Sequence, residues 1–323
     1  MKILITGCAG YIGSVLTGEL LSSGHAVVGV DNLLHGSTGL LSNLGRDGFQ
    51  FKRCDVCDSS ALEAALEGCD AVVHLAAIVG DPACARMPEL ATSVNRDASL
   101  ALFDLSQKQG VARFVFASTC SNYGRMKDPA QFVTEETELR PVSLYAETKV
   151  EVEKTLLAPA TKHRTVPTVL RFATIFGISP RMRFDLTVNE FTRDLHRQRE
   201  LVIFGEQFWR PYVHVRDAAR AIKTVLETTP EKIAGNVFNV GDASQNYQKG
   251  QLVELIAARI GGDLKIDRVE KDEDPRDYRV SFDKIQRELD FHITRTVDDG
   301  IKEIIDALEQ GLFADTGNPA YRN

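Results

Sequence analysis

The sequence of 323 residues has no apolar run that approaches the roughly 18 residues of a membrane span. It also has no long basic run, and its formal net charge of −7 disfavours nucleic acid as a partner. A strand is predicted directly after Met1, so we expect no signal peptide. These absences predict a cytoplasmic protein that binds neither a membrane nor nucleic acid.

The six cysteines do not follow the pattern of a metal site. Cys54 and Cys57 are spaced as a CxxC pair, but no second pair and no histidine cluster accompanies them. We therefore expect no metal, and reduced thiols that pack inside the fold. The sequence also lacks an internal repeat and a low-complexity linker, which predicts a second domain that is interleaved with the first.

The first 31 residues contain the pattern around which the remaining sequence is organised. Lys2 to Thr6 predict a strand, residues 11–22 have helical spacing, and Ala26 to Val30 predict a second strand. Between the first strand and the helix lie three glycines: Gly7, Gly10 and Gly13. Glycines there permit a tight turn, close approach of a pyrophosphate and close helix–strand packing. The helix N-terminus adds free N–H groups for phosphates, so the pattern predicts dinucleotide binding.

Asp31 ends the second predicted strand, where its carboxylate can accept hydrogen bonds from both ribose hydroxyls of an adenosine. It favours NAD over NADP, because a 2′-phosphate would meet a carboxylate and no arginine follows immediately. The alternative interpretation is that Asp31 only caps a turn.

Strands and helices alternate along the first half of the chain. This order predicts an α/β fold, a Rossmann-type doubly wound parallel sheet with a smaller, interleaved C-terminal substrate-binding domain. We assign residues 1–176 and 211–240 to the NAD-binding domain, and residues 177–210 and 241–323 to the nucleotide-sugar-binding domain. Long helices are predicted at residues 88–109 and 141–157, and Ser59 is the predicted cap of a short helix at 61–66.

Tyr145 and Lys149 are four residues apart and therefore lie on one face of a predicted helix. A lysine ammonium beside a tyrosine, helped by an oxidised nicotinamide, lowers the pKa of the phenol. The phenolate can then remove a proton from a sugar hydroxyl while the nicotinamide accepts a hydride. Thr119 follows the neighbouring strand and can donate to the same oxygen. The alternative is an ordinary solvated helix face.

Together these motifs resemble the extended short-chain dehydrogenase/reductases of the nucleotide-sugar epimerase/dehydratase family, such as UDP-glucose 4-epimerase. The matching stretches are TGCAGYIG at 6–13, DN at 31–32, CDV at 54–56, HLAA at 74–77, STCSNYG at 118–124, YAETK at 145–149 and RPYVHVRD at 210–217. The resemblance extends from residue 1 to about residue 310 and is specific to this family.

The resemblance implies NAD as the cofactor and a nucleotide-diphosphate sugar as the substrate. The implied NAD contacts are Gly7, Gly10, Tyr11, Ile12, Gly13, Asp31, Asn32, Asp55, Val56, Leu75, Ala76, Ala77, Tyr145 and Lys149. The implied substrate contacts are Thr119, Cys120, Ser121, Thr174, Asn189, Arg210 and Arg279. A planar guanidinium also matches phosphate geometry, although a surface ion pair is the alternative for each arginine.

The family also implies a homodimer, in which two helices pair with their symmetry mates as a four-helix bundle. The helices at 88–109 and 144–158 carry apolar residues beyond what one sheet face needs: Leu100, Leu102, Val150 and Leu156. We therefore expect a homodimer.

Several residues depart from the family pattern. Sugar-nucleotide dehydratases carry an Asp-Glu pair after the threonine, where this chain has Cys120 and Ser121, so dehydration is not expected. Thr174 replaces the usual asparagine before the aromatic-glycine turn. The stretches at 177–192 and 78–84 are similar to a subgroup that includes GDP-heptose 4-dehydrogenases. We interpret Cys120 as lining the pocket, the alternative being a nucleophile, and His74 as a structural histidine.

The leading hypothesis is an NAD-dependent nucleotide-sugar epimerase that acts through a transient 4-keto sugar. The alternative within enzymes is a nucleotide-sugar 4-dehydrogenase or ketoreductase, for example on a GDP-heptose. A non-catalytic NAD-binding regulator is the alternative from another class, because function depends on sites built onto a fold. The set of Thr119, Tyr145 and Lys149 argues against a regulator.

Overall fold

A computed structural model describes residues 1–126, 128, 131–158, 164–272, 274 and 276–323. In chain order the strands are β1 Lys2–Thr6, β2 Ala26–Asp31, β3 Phe49–Arg53, β4 Ala71–His74, β5 Arg113–Thr119, β6 Val166–Phe172, β7 Thr174–Phe176, β8 Glu200–Phe204, β9 Trp209–His214, β10 Asn236–Val240, β11 Asn246–Gln248 and β12 Lys265–Val269. The helices are α1 Tyr11–Ser22, α2 Ser59–Leu66, α3 Asp81–Arg86, α4 Pro88–Thr92, α5 Ala98–Gln109, α6 Leu144–Leu156, α7 Thr187–Gln198, α8 Val215–Glu227, α9 Pro230–Ile233, α10 Lys249–Ile260, α11 Asp283–Leu289 and α12 Val297–Glu309.

Within the described ranges, seven parallel strands form the main sheet in the order β10-β6-β5-β4-β1-β2-β3. The strand order reverses between β1 and β4, and ligands of such sheets bind at this point, outside the carboxyl ends. Thr6 at the end of β1 is in register with Val30 of β2 and His74 of β4, so these strand ends form one rim. The predicted Rossmann-type fold is confirmed.

Apolar side chains cover both faces of the main sheet. β1 shows why, since Ile3 and Ile5 pack into the cluster on one face while Leu4 packs into the cluster on the other. A strand with both faces covered reads as a continuous apolar run, which is how β1 appears in the sequence. α8 packs against α1 on the first of these faces.

The smaller part of the molecule contains two short sheets. β9 pairs with β7 in parallel and with β11 antiparallel, and β8 pairs with β12 in parallel. α7, α10 and α12 pack around an apolar cluster that includes Phe176, Tyr212 and Ile301. β10 returns to the main sheet beside β6, whereas residues 211–214, which were predicted to return with it, lie in β9 and the small sheet.

The predicted helix over residues 88–109 is wrong in its middle. α4 and α5 are separated by a π-helical segment, Ser93–Asp97, whose wider turn accommodates an additional residue. Asn95 in this segment is fully buried, accepts from Ile78 N at 2.8 Å and donates to Ile78 O at 2.9 Å. These two hydrogen bonds connect the π-helical segment between α4 and α5 to Ile78, which follows β4.

Local capping also differs from the prediction at one place. Ser59 is the first residue of α2, and Asp58 is the N-cap, since its carboxylate accepts from Ser60 N and Ala61 N at 3.1 Å each. α6 begins as expected after a polar residue, Ser143, whose hydroxyl accepts from Ala146 N at 3.4 Å.

The apolar residues on which we based the dimer do not form an exposed stripe. Leu102, Val150 and Leu156 are buried inside one chain, and Leu100 is half-buried. Leu102, Leu156 and Leu100 belong to the apolar cluster on one face of the main sheet, so that part of the argument is wrong. Met87, which precedes α4, and Leu90, which lies in α4, are exposed apolar side chains, at 39% and 44% exposure. None of the helices in the described ranges is long and apolar enough to cross a membrane.

Candidate active site

The turn between β1 and α1 leaves no room for a side chain at Gly7 or at Gly13. Gly7 has φ +75° and its N–H donates to Val30 O at 2.8 Å. A Cβ atom on Gly7 would lie 2.9 Å from Ala76 N, and one on Gly13 would lie 2.1 Å from Gly7 O. Gly10 precedes α1 and has no side chain over the helix N-terminus. This bare backbone cradle fits the pyrophosphate of a dinucleotide.

Two carboxylates lie at adjacent strand ends on the adenosine side of this cradle. Asp31 accepts from Ala9 N at 3.0 Å and from Leu33 N at 2.8 Å, and burial raises the pKa of its carboxyl. Each oxygen still has a lone pair for a ribose hydroxyl, so Asp31 both shapes the turn and remains able to bind. Asp55 accepts from Asn32 Nδ2 at 2.8 Å and from Cys57 N at 2.9 Å, and hydrogen bonds lower the pKa of its carboxyl.

Some of the other predicted cofactor residues are buried, and others are half-buried. Tyr11 is buried, its hydroxyl donates to Gly177 O and accepts from Asn189 Nδ2 at 3.1 Å, and burial raises its pKa. The Tyr11 side chain therefore anchors residue 177 and does not project toward a ligand. Val56 is buried, whereas half-buried residues follow β4 and begin α1: Leu75, Ala76, Ala77 and Ile12.

Lys149 places its ammonium group directly against the end of β5. It is 2% exposed, and its Nζ donates to Ala117 O at 2.9 Å and lies 5.9 Å from the ring centre of Tyr145. Burial lowers the pKa of Lys149 to about 8, and burial also raises the pKa of Tyr145 above its usual value. The free chain thus keeps Tyr145 as a phenol beside a lysine that is charged at neutral pH.

Thr119 is the last residue of β5 and is half-buried. Its Oγ1 accepts from Ser121 N at 3.1 Å, which starts the turn that follows the strand. Because Lys149 bonds Ala117, two residues earlier, α6 and the end of β5 bring Thr119, Tyr145 and Lys149 to the same edge of the sheet. A hydroxyl donor, a phenol and an ammonium are groups suited to proton transfer to and from a substrate hydroxyl.

A buried polar network behind this edge was not predicted from the sequence. Glu153, one turn after Lys149 on α6, pairs with Arg171 of β6 at 2.7 Å, and both side chains are at least 95% buried. Its carboxylate also accepts from Asn122 Nδ2 at 2.8 Å and from the Ser118 hydroxyl. The spacing of residues 145, 149 and 153 was the available signal, because all three share one helix face.

Cys120 and His74 are both buried away from the reaction edge. The Cys120 thiol is 1% exposed, contacts Arg171 O at 3.3 Å, and has a pKa raised well above its usual value by burial. The predicted pocket-lining position of Cys120 is therefore wrong, and a protonated, inaccessible thiol is no nucleophile. His74 is fully buried between Thr6 Oγ1 at 2.7 Å and Ser99 Oγ at 2.8 Å, and burial lowers its pKa to about 3.

A cavity of about 740 Å³ opens between the strand ends and the smaller part of the molecule. Three of the predicted substrate residues line it, Ser121, Thr174 and Arg210, together with Tyr278 and Phe191, which were not predicted. This size is within the range that holds a small organic ligand. Ser121, two residues after β5, is the lining residue nearest in the chain to Thr119.

Two basic groups of this cavity, those of Arg210 and Lys249, share one aspartate. Arg210 Nη2 lies 2.7 Å and Lys249 Nζ lies 3.3 Å from Asp274 Oδ2, and these cations keep the pKa of Asp274 at about 2 despite burial. Arg276, also in the lining, pairs with Asp81 after β4 at 3.0 Å. Sequence reasoning found Arg210 and missed the others, since none lies in a recognisable motif.

Asn189 and Arg279 are not among the cavity-lining residues. Asn189 is fully buried, and its amide accepts from Gly177 N at 2.9 Å and donates to Arg183 O at 2.8 Å. Its hydrogen bonds are used inside the protein, so this geometry gives no support to the predicted substrate contact. The guanidinium of Arg279 lies 4.6 Å from the ring centre of Phe132 and 5.0 Å from that of Trp209.

The model of the NAD-dependent epimerase/dehydratase family matches residues 3–241 of this chain. An uncharacterized UDP-glucose epimerase of Bacillus subtilis is 32% identical over 255 residues, which cover 76% of this chain and 78% of that protein. A dTDP-glucose 4,6-dehydratase of Streptomyces griseus is 30% identical over 309 residues, 93% of this chain and 91% of that protein. The structure of a UDP-glucuronic acid 4-epimerase from Bacillus cereus, in complex with UDP-glucuronic acid and NAD, superposes with a TM-score of 0.86 at 26% identity. The superposition covers 97% of this chain and 100% of the Bacillus cereus chain.

Proposed function

Because the chain belongs to the NAD-dependent epimerase/dehydratase family, we propose that it epimerises a nucleotide sugar at C4. It is an enzyme, and its cofactor is NAD. The relatives and solved structures named as UDP-sugar 4-epimerases support this choice of reaction. The observation that carries it is the buried ammonium of Lys149 beside Tyr145, at the strand edge where Thr119 ends β5.

Tyr145 is the group that exchanges a proton with the sugar. NAD held at the glycine turn and by Asp31 and Lys149 would supply reversible hydride transfer and the positive charge of its oxidised ring. In the free chain burial raises the pKa of Tyr145, and the charges of Lys149 and of an oxidised nicotinamide would both favour its phenolate. Tyr145 then takes the proton of the C4 hydroxyl and later returns it. Thr119 donates to the same oxygen and holds it in place.

Epimerisation also requires that the transient 4-keto sugar turn its other face toward the hydride before it is released. The cavity supports this step, because Arg210, Lys249 and Arg276 line it and would hold a diphosphate while the sugar rotates. We assign the substrate contacts to Thr119, Ser121, Thr174 and Arg210, and the substrate portion to residues 177–210 and 241–323. The removal of water needs an acid, and the two residues after Thr119 are a buried cysteine and a serine.

The test is mass spectrometry of the product formed from candidate nucleotide sugars, with absorbance of reduced nicotinamide followed at about 340 nm. We expect a product of unchanged mass and no sustained rise in absorbance, because an epimerase returns its hydride. A product about 2 Da lighter with stoichiometric NADH would instead establish a dehydrogenase. A product about 18 Da lighter would establish dehydration and overturn the interpretation of Cys120 and Ser121.

We also propose a homodimer that forms across α4, α5 and α6. Met87 and Leu90 supply exposed apolar surface there. The rest of this face is polar, as the ion pair of Arg96 with Glu151 at 3.4 Å illustrates. Light scattering at micromolar concentration should give twice the monomer mass. The substitution Leu90→Asp should shift this mass toward that of the monomer. A monomer at that concentration would contradict this assembly.

A further inference from the structure

Arg181 lies in the loop between β7 and α7, which packs along the first turn of α1. Ser179 Oγ donates to Tyr11 O at 2.7 Å and lies 3.1 Å from Ser14 Oγ. At Arg181 the loop reaches Gly39, where an added Cβ would lie 3.2 Å from the Cβ of Arg181 and 2.1 Å from Ala9 O. Arg181 therefore sits beside the glycine turn, next to the residue whose N–H bonds Asp31.

Arg181 makes no contact ion pair within the described part of the chain, and its nearest opposing charges are those of Asp185 and Asp31. The residue is 3% exposed, and its Nη2 donates to the Arg322 carbonyl at 2.8 Å. Its Nε is buried and has no hydrogen-bond partner among the described residues. Burial, together with the nearby charge of Arg183, lowers the pKa of Arg181 to about 10.

Neighbouring buried arginines differ from Arg181 in this respect. Arg183, two residues later, makes a two-point contact with Asp185 at 2.9 and 2.7 Å. Arg171 is matched by Glu153. A buried cation that lacks a carboxylate raises the free energy of the folded chain, and such a group is retained where a ligand supplies the missing anion.

We propose that Arg181 binds the pyrophosphate of NAD. The pyrophosphate is the only part of NAD that carries negative charge, and it lies at the N-terminus of the helix that follows a glycine turn. A guanidinium beside that turn, with an unused N–H, matches phosphate oxygens in geometry and charge. The assignment depends on NAD binding alone and stands apart from the choice between epimerase and dehydrogenase.

This role predicts opposite effects on the empty and the loaded protein. Without NAD, Arg181 is a buried charge that no carboxylate contacts, so its replacement by methionine should not lower the melting temperature. With NAD, the same replacement removes a charged hydrogen bond, so the stabilisation by NAD should shrink. Arg113 is a matched control, since it also donates to backbone carbonyls, those of Leu226 and Thr228, but lies at the opposite end of β5.

The experiment compares Arg181→Met, Arg181→Lys and Arg113→Met with the unchanged full chain after removal of bound nucleotide. Calorimetry measures affinity for NAD, for ADP-ribose and for adenosine, which has no phosphate. Arg181→Met should bind NAD and ADP-ribose about ten- to a hundredfold more weakly, with adenosine unchanged. Arg181→Lys keeps the positive charge, so its affinity for NAD and ADP-ribose should fall less than that of Arg181→Met. Arg113→Met should lower the melting temperature and leave all three affinities unchanged.

Two results would overturn the assignment. Equal losses for adenosine and ADP-ribose in Arg181→Met would show that the residue shapes the adenosine pocket. A lower melting temperature with unchanged NAD affinity would show that it only holds the carbonyl of Arg322. If Arg181→Met does not fold, the same comparison of ligands in Arg181→Lys decides the question.

Discussion

The substitution Glu153→Gln separates what the buried network does for stability from what it does for the catalytic lysine. Glutamine has the same shape but no charge, so Arg171 is left buried without its counter-ion. Removal of one partner of a buried pair costs about 3–5 kcal/mol. Unfolding entropy of about 2.1 cal/mol/K per residue gives roughly 0.7 kcal/mol/K for a chain of 323 residues. The melting temperature should therefore fall by about 4–7 °C.

The same substitution should change the pH dependence of turnover. The Glu153 charge raises the pKa of Lys149, against the larger effect of burial, which brings it to about 8. Without that charge the pKa falls further, so Lys149 loses its proton at lower pH. The alkaline limb of the activity profile should then move down by roughly one pH unit, an interaction of about 1.4 kcal/mol. An unmoved limb would refute a link from Glu153 to Lys149.

The double variant Glu153→Gln with Arg171→Met distinguishes the two effects. It removes both charges, so most of the lost stability should return, because replacing both partners of a buried pair is close to neutral. The alkaline limb should stay displaced, because Glu153 is still absent. Recovery of both properties would mean that the displaced limb reports a damaged fold, and the explanation through Lys149 would be abandoned.

Four further outcomes are expected. Tyr145→Phe should reduce turnover about 10²- to 10⁴-fold and leave NAD affinity within about twofold, as measured by steady-state kinetics and calorimetry. Lys149→Met should weaken NAD binding and turnover, yet raise the free energy of unfolding by about 3 kcal/mol at neutral pH. Because the folded pKa is depressed, this gain should shrink as pH rises from about 8 to 10.5 in denaturant titrations. Asp31→Ala should narrow the preference for NAD over NADP, and equal affinity of the unchanged protein for both would contradict its assignment. In alkylation with mass spectrometry, exposed Cys57 should react long before buried Cys120.

Local sequence patterns predicted the main sheet because each strand and helix is specified by its own residues. α1 was predicted with its observed bounds, since period and flanking residues agree there. The π-helical segment was missed because its cause is a distant partner: Asn95 must reach the backbone of Ile78. Nothing near residue 95 in the sequence indicates that contact.

The residues of the candidate site also fall into two groups, those that a local sequence motif predicts and those that it does not. Gly7, Asp31, Tyr145 and Lys149 lie in motifs whose chemistry is visible in the sequence, and the structure brings them to one rim. Cys120 was misplaced because position in a motif does not tell whether a side chain faces the cavity or the core. Arg181 and Asp274 went unnoticed because their significance lies in which charges surround them after folding. Pairing across the fold is invisible to any local pattern.

The return of β10 to the main sheet has a consequence for synthesis on the ribosome. β6 ends at Phe172, but its outer neighbour is complete only at Val240, so 68 residues separate the two. At 5–20 residues per second the ribosome needs about 3–14 s to add them. During that interval β6 is an unpaired edge of a largely assembled sheet, the kind of surface that recruits other strands. During this interval chaperone binding competes with aggregation of the nascent chain. The competition ends when β10 emerges and pairs with β6.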